Sequence, residues 1–156
     1  MRVHLATDHA GMELSAHLLS HLTAAGHDVV DHGPTSYDPE DDYPSFCIDA
    51  AQAVVDDRAA GTEALGIVLG GSGNGEQIAA NKVRGVRAAL AWNLDTARLA
   101  RQHNDANVIA VGGRQHPVEE ATAIIDAFLA EPFSGAERHR RRIGQIARYE
   151  ETGSVA

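Results

Sequence analysis

Residues 70 to 76 read Gly-Gly-Ser-Gly-Asn-Gly-Glu, directly after the apolar run ALGIVL at 64–69. Four glycines in six positions let a backbone turn tightly and aim N–H groups at a ligand oxygen. Two familiar uses of such a loop fail here. A triphosphate loop needs Lys and Ser/Thr where Glu76 and Gln77 stand, and a carboxylate at that point repels phosphate. A dinucleotide loop counted from Gly71 needs its last glycine where Glu76 stands. What remains is a carboxylate, a hydroxyl on Ser72 and neighbouring amides that can stabilise a developing oxyanion. Glu76 opens a helix, a position expected to favour its ionised form. A carboxylate base beside an oxyanion site suits proton abstraction from carbon next to a carbonyl, through an enediolate. Taken alone, Glu76 also reads as an ordinary first-turn glutamate.

Other residues could join it. Asp8-His9 follows the first apolar run at once, an acid and an imidazole where a strand ends. His103-Asn104 closes a helical stretch; His103 either caps carbonyls there or acts as acid or base near neutral pH. The segment Arg138-His139-Arg140-Arg141-Arg142 is basic in a chain of 13 Lys+Arg against 22 Asp+Glu. Arg138 and Arg142 share a helical face, either a solvated one or a forked grip on phosphate that Arg114 could complete. His17 and His21 are four apart but lack the intervening acid of a metallohydrolase helix, and Leu18, Leu19 and Leu22 claim the buried stripe. No metal site is expected. Cys47 lies in FCIDAAQAV and reads as a small buried residue.

The elements that must position these residues alternate. Strands are expected at Val3–Thr7, Asp28–Asp31, Ala64–Leu69, Val86–Ala91 and Val108–Val111. Helices are expected at Met12–Ala25, Pro44–Asp57, Glu76–Lys82, Asp95–His103 and Val118–Leu129. A last helix begins in a capping box of Ser134 and Glu137 and ends near Tyr149. Five β-α repeats with continuously apolar strands imply an α/β, three-layer, doubly wound five-stranded parallel sheet, Rossmann-like, with an extra C-terminal helix. Residues 1–150 form one domain in this reading, and 151–156 a flexible tail. Ligand is expected beyond the carboxyl ends of the strands.

Composition narrows the class. A net charge of −9 opposes non-specific binding to nucleic acid or to an anionic membrane. Aromatics are 4%, so the core must be aliphatic and alanine-rich. No apolar run approaches the roughly 20 residues that span a bilayer. One cysteine cannot pair within the chain. A soluble cytoplasmic protein is expected.

The motifs together resemble the type B ribose-5-phosphate isomerases, the family shared with allose- and galactose-6-phosphate isomerases. The matching stretches are Asp8-His9-Ala10-Gly11, Asp42-Tyr43-Pro44, Gly70–Glu76 running into Ile78-Ala79-Ala80-Asn81-Lys82, Arg101-Gln102-His103-Asn104, Gly112-Gly113-Arg114 and Arg138-His139 with Arg142. The resemblance implies a cofactor-free and metal-free aldose–ketose isomerase, acting on ribose 5-phosphate or on a hexose 6-phosphate. It implies a homodimer or dimer of dimers with shared active sites. One branch of the family places a cysteine base where Gly70 stands; this chain resembles the branch whose base is a glutamate, here Glu76. By the same resemblance His103, assisted by Asp8, opens the sugar ring. Glu76 then carries the proton from C2 to C1. Ser72 and the amides of Gly71, Gly73 and Gly75, with Asn74 beside them, hold the enediolate. Tyr43 and Asn104 line the sugar. His9, Arg114, Arg138 and Arg142 bind phosphate, the last two across a subunit interface. The remaining readings are a non-catalytic sugar-phosphate-binding subunit and a flavodoxin-like nucleotide module, and Glu76 after the glycines opposes the second.

Overall fold

The computed structural model describes residues 1–155. Among them, β1 (Arg2–Thr7), β2 (Asp28–Asp31), β3 (Ala64–Gly70), β4 (Ala88–Leu90) and β5 (Val108–Gly112) form one parallel sheet in the order β2-β1-β3-β5-β4. The helices are α1 (Met12–Ala24), α2 (Tyr43–Ala59), α3 (Asn74–Ala80), α4 (Leu94–Asn104), α5 (Val118–Ala130) and α6 (Glu137–Thr152).

Alternation along the central strands divides the core. Leu65, Ile67 and Leu69 of β3 pack with Leu14, Leu18 and Leu22 of α1 and with Ile124, Ile125 and Phe128 of α5. Val68 points the other way, into Cys47, Ala50, Ala51 and Val54 of α2 and Ala79 and Ala80 of α3. The second layer is built of alanine and valine, as an aromatic-poor composition requires. The chain steps from β1 to β2 on one side, then returns past β1 to β3 on the other. Because α1 and α3 lie on opposite faces, the loops after β1 and β3 part from each other, and a crevice opens above the carboxyl ends.

Several expectations shift. The edge strand β2, DVVD, is exposed at both ends, and Asp28 pairs with Arg2 at 2.8 Å, so it is not covered on both faces. β4 is shorter than Val86–Ala91, because Val86 N–H turns back to Val83 O and the Asn107 side chain takes Arg87 N–H. α3 begins at Asn74 and ends at Ala80, where turns through Lys82 and Val83 take over. The capping box of α6 does not form. Its N-cap is Ala136, and Ser134 Oγ instead sits 2.9 Å from His139 Nδ1. α6 continues past Tyr149 to Thr152, where Gly153 caps it in the left-handed region, so part of the expected tail is helical; Ala156 lies outside the described residues. No helix among the described residues is long and apolar enough to cross a membrane.

Asn107, buried at the entrance to β5, donates to Gly85 O at 2.9 Å and accepts from Arg87 N–H at 2.8 Å. It ties the lead-in of β4 to its neighbour. Asn107→Ala leaves both backbone groups unpaired and is expected to cost about 1–3 kcal/mol in urea denaturation.

Candidate active site

Three loops meet in the crevice. After β1, Asp8 caps the short turn His9–Gly11, its Oδ1 accepting from Ala10 N–H at 2.9 Å. After β3 runs the glycine loop. After β5, Gly113 N–H donates to Gly70 O at 2.7 Å and Arg114 N–H to Gly71 O at 3.2 Å, which braces that loop from the side. Gly73 holds φ 81°, a left-handed conformation that suits glycine, and from it α3 begins. Ser72 Oγ accepts from the backbone N–H and the side-chain amide of Asn74 at 3.3 and 3.2 Å. Tyr43, the first residue of α2, lays its phenol ring over Gly75 with no space for a Cβ between them.

Glu76 is turned back into this loop. A Cβ on Gly70 would overlap the Glu76 carboxylate, so the carboxylate lies against the bare α-carbon of residue 70. The side chain is buried, as is Asp8. Burial is the largest influence on the Glu76 carboxyl and pushes it above its ordinary value. The charge of Asp8 adds to the rise, while the backbone N–H groups of Glu76 and Gly73 pull it down. The helix start therefore does not win here: desolvation outweighs it, contrary to the expectation of a favoured ionised form. Cys47 lies fully buried close by, its thiol pushed up to about 12 by burial and by Glu76 and Asp8. Such a thiol is not a nucleophile.

His9 is fixed by a residue that sequence reasoning missed. Asp41 Oδ1 lies 2.6 Å from His9 Nδ1, and the His9 backbone N–H donates to Asp41 Oδ1 and Oδ2 at 3.2 and 3.1 Å. Tyr37 stands edge-on to the ring at 6.1 Å. In sequence Asp41 is one of several acids in a turn-rich stretch, and no spacing marks it. Asp8, His9 and Asp41 offer ligand atoms within 4.8 Å of one another. The His9 nitrogen facing that group is engaged with Asp41 Oδ1.

The other expected residues lie elsewhere. α4 starts beyond the carboxyl end of β4 and runs back eleven residues, roughly 16 Å. His103 and Asn104 thus reach the opposite edge of the sheet, where Arg87 Nε donates to Asn104 O at 2.8 Å just ahead of β4. α6 starts beside them, with Ser134 N–H on Gln102 O at 3.2 Å. The His103 ring packs on that of His139, centroids 4.3 Å apart. His139 is buried, and desolvation followed by Arg138, His103 and Arg142 lowers its pKa from the ordinary value. Arg138 and Arg142 are exposed. Within one chain, then, Asp8, His9, Tyr43, Gly71, Ser72, Gly73, Asn74, Gly75, Glu76 and Arg114 gather at one end of the sheet. His103, Asn104, Arg138 and Arg142 gather at the other, and Asp8 does not assist His103 in the same chain.

Comparison with known proteins matches the family model described as Ribose/Galactose Isomerase over residues 3–146. The chain belongs to the ribose/galactose isomerase family. Ribose-5-phosphate isomerase B of Mycolicibacterium paratuberculosis is 58% identical over 152 residues, covering 97% of this chain and 93% of that protein. The protein of the same name from Escherichia coli K12 is 37% identical, covering 96% and 97%. The fold matches ribose-5-phosphate isomerase B of Mycoplasma genitalium, solved with bound ribulose-5-phosphate, at TM-score 0.90 and 41% identity, covering 97% of each chain. Membership of the ribose/galactose isomerase family agrees with the resemblance carried by the glycine loop and its flanking motifs.

Glu76 also makes a stability prediction. The folded chain holds the Glu76 proton more tightly than the unfolded chain does. Stability therefore falls as pH rises from the ordinary carboxyl range through the raised value, and the cost persists above it. Glu76→Gln removes that cost, so its Tm at pH 7 is expected to exceed that of the parent chain, with the gap closing at acid pH. Calorimetry at two pH values checks both signs.

Proposed function

We propose that this chain interconverts ribose 5-phosphate and ribulose 5-phosphate by proton transfer through an enediolate. The observation that carries the reading is the Glu76 carboxylate, buried against Gly70 under the amides of the glycine loop. A carboxylate whose proton affinity is raised by burial is a stronger base than one in water. Family membership and a 41% identical relative solved with bound ribulose-5-phosphate support the same substrate.

In the open-chain aldose Glu76 takes the proton from C2, and the electron pair moves onto the carbonyl oxygen. The N–H groups of Gly71 and Gly75, with Ser72 and Asn74, hold that oxygen, while the Gly73 N–H serves the Glu76 carboxylate. The protonated Glu76 then delivers the same hydrogen to C1, and a hydroxyl proton passes from O2 to O1. No oxidant and no metal enters this balance. Tyr43, lying over Gly75, closes one wall against the sugar.

The ring must open first. His103 is read as the acid or base for that step, as the family resemblance implies, and it would reach the crevice only from a second copy. We read the site as shared in a homodimer, with His103 and Asn104 of one protomer over the sugar, and Arg138 and Arg142 beside His9 and Arg114 at the phosphate. The side chains of Arg114, Arg138 and Arg142 make no hydrogen bond or ion pair among the described residues, which leaves their guanidinium groups open to an anion. A C2 dimer provides two such sites.

Glu76→Gln is expected to lower kcat on ribose 5-phosphate by about 10³-fold or more while substrate still binds; a near-parental rate removes Glu76 as the base. Activity is expected to persist in EDTA. Gly70→Ala should displace the carboxylate and cost about 10²-fold in kcat. Sharing has its own signature. Glu76→Gln and His103→Ala homodimers are each inactive, and unfolding and refolding them together should restore about a quarter of parental activity, because half the dimers then carry one intact site. A mixture that stays inactive overturns the shared-site reading.

A further inference from the structure

The loop between β2 and α2 has no regular structure, and it is acidic: Asp38, Glu40, Asp41 and Asp42 lie within five positions. Such a loop is poorly suited to stand over a phosphate site. Its one buried contact with the crevice is the Asp41 carboxylate, whose side chain is 8% exposed and closes on His9. Both bonds that orient His9 can end on a single oxygen. Oδ1 receives the backbone N–H at 3.2 Å and faces ring Nδ1 at 2.6 Å. The ring then has one free nitrogen, Nε2, with no partner among the described residues, and the edge-on Tyr37 limits rotation about the side chain.

We infer that Asp41 is a positioning residue for anion binding: it fixes the His9 ring so that Nε2 is the nitrogen presented to the substrate phosphate. Imidazole in solution offers either nitrogen, and a carboxylate on Nδ1 fixes that one as a donor. With Nδ1 held by Asp41, Nε2 is the ring nitrogen left to face the substrate, and the ring stands between the Asp41 carboxylate and the phosphate. The acidic loop is tolerated because its buried acid is spent on His9, while Asp38 and Glu40 are exposed. Asp38 Oδ1 accepts from Glu40 N–H at 3.0 Å, which shapes the turn that delivers Asp41.

This inference rests on the isomerase reading, and the two fail differently. If the parent chain does not turn over ribose 5-phosphate, the isomerase reading falls. If it does, Asp41 is tested by where its loss appears. Asp41→Ala is expected to raise KM about tenfold, and the inhibition constant for inorganic phosphate in parallel, with kcat within about threefold of the parent. Asp41→Asn keeps an oxygen at the Oδ1 position and should bring KM back to within about threefold. In a His9→Gln background Asp41→Ala should raise KM no further, since it acts through the ring. Should Asp41→Ala fail to fold, Asp41→Ser, whose hydroxyl is too short to reach the ring, takes its place. An unchanged KM, an additive effect in the His9→Gln background, or a loss of kcat and Tm shared equally by the alanine and asparagine variants would overturn the assignment.

Discussion

The Glu76 carboxylate rests against the α-carbon of Gly70, with no room for a side chain between them. Burial there works against the charge, and the adjacent Asp8 works against it further; only the amides at the start of α3 favour it. Much of the crevice is arranged around this conflict. Gly70 must be bare for the carboxylate to enter. Gly73 must adopt φ 81° for α3 to start where its first amides face back into the loop. The loop after β5 donates Gly113 and Arg114 N–H to the carbonyls of Gly70 and Gly71, so these oxygens are engaged away from the carboxylate. A flexible loop would let the acid swing into water and return to ordinary acidity. Bracing is what keeps its basicity raised.

The separation of the remaining site residues is a consequence of topology. In a parallel sheet every strand ends at one edge and every crossover helix returns to the other. A residue at the start of α3 and a residue at the end of α4 are therefore on opposite edges of the same chain. His103 packs on the buried His139, whose ring is held by Ser134, and Ser134 N–H is tied to Gln102 O beside it. In the shared-site reading proposed above, this cluster of imidazole and guanidinium groups, distant from the Glu76 crevice, is half a site. A symmetric pair of chains would supply the other half without any change of fold.

How much of this the sequence discloses depends on the range of the interaction. The strands and most helices follow from local periodicity and from glycine stops, and the parallel sheet follows from their alternation. The pairing order does not, because nothing in Ala88–Leu90 says that β5 will come between it and β3. The capping box at Ser134 fails for a local reason: the His139 ring, five residues on, competes successfully for the hydroxyl. The glycine loop and Glu76 are recognisable because their chemistry is contiguous in sequence. The state of that carboxyl is not, since the helix start argues for ionisation and only the folded burial shows that desolvation dominates. Asp41 is invisible for the opposite reason: its partner lies thirty-two residues away, and its neighbours are acids of the same type.

Arginines make the last discrimination, because a chain of net charge −9 has few cations to leave idle. Arg2 is held by Asp28 and Asp57, and Arg87 and Arg101 converge on Asp105 with Arg58 nearby. These groups hold strand entrances and the end of α4, and their charges are neutralised in place. Arg84 and Arg98 also have carboxylate partners. Arg114 has none among the described residues, nor do Lys82 and the α6 arginines Arg138, Arg140, Arg141, Arg142 and Arg148. An exposed guanidinium without a partner costs nothing in water, so its freedom alone proves little. What gives it meaning is place: Arg114 stands beside the loop that holds Glu76, and the charges of Arg138 and Arg142 act on His139, whose ring packs on that of His103. Positive charge left unneutralised beside the glycine loop and along α6, in a protein that neutralises it at its strand entrances, is what the proposed shared site would need to hold a sugar phosphate.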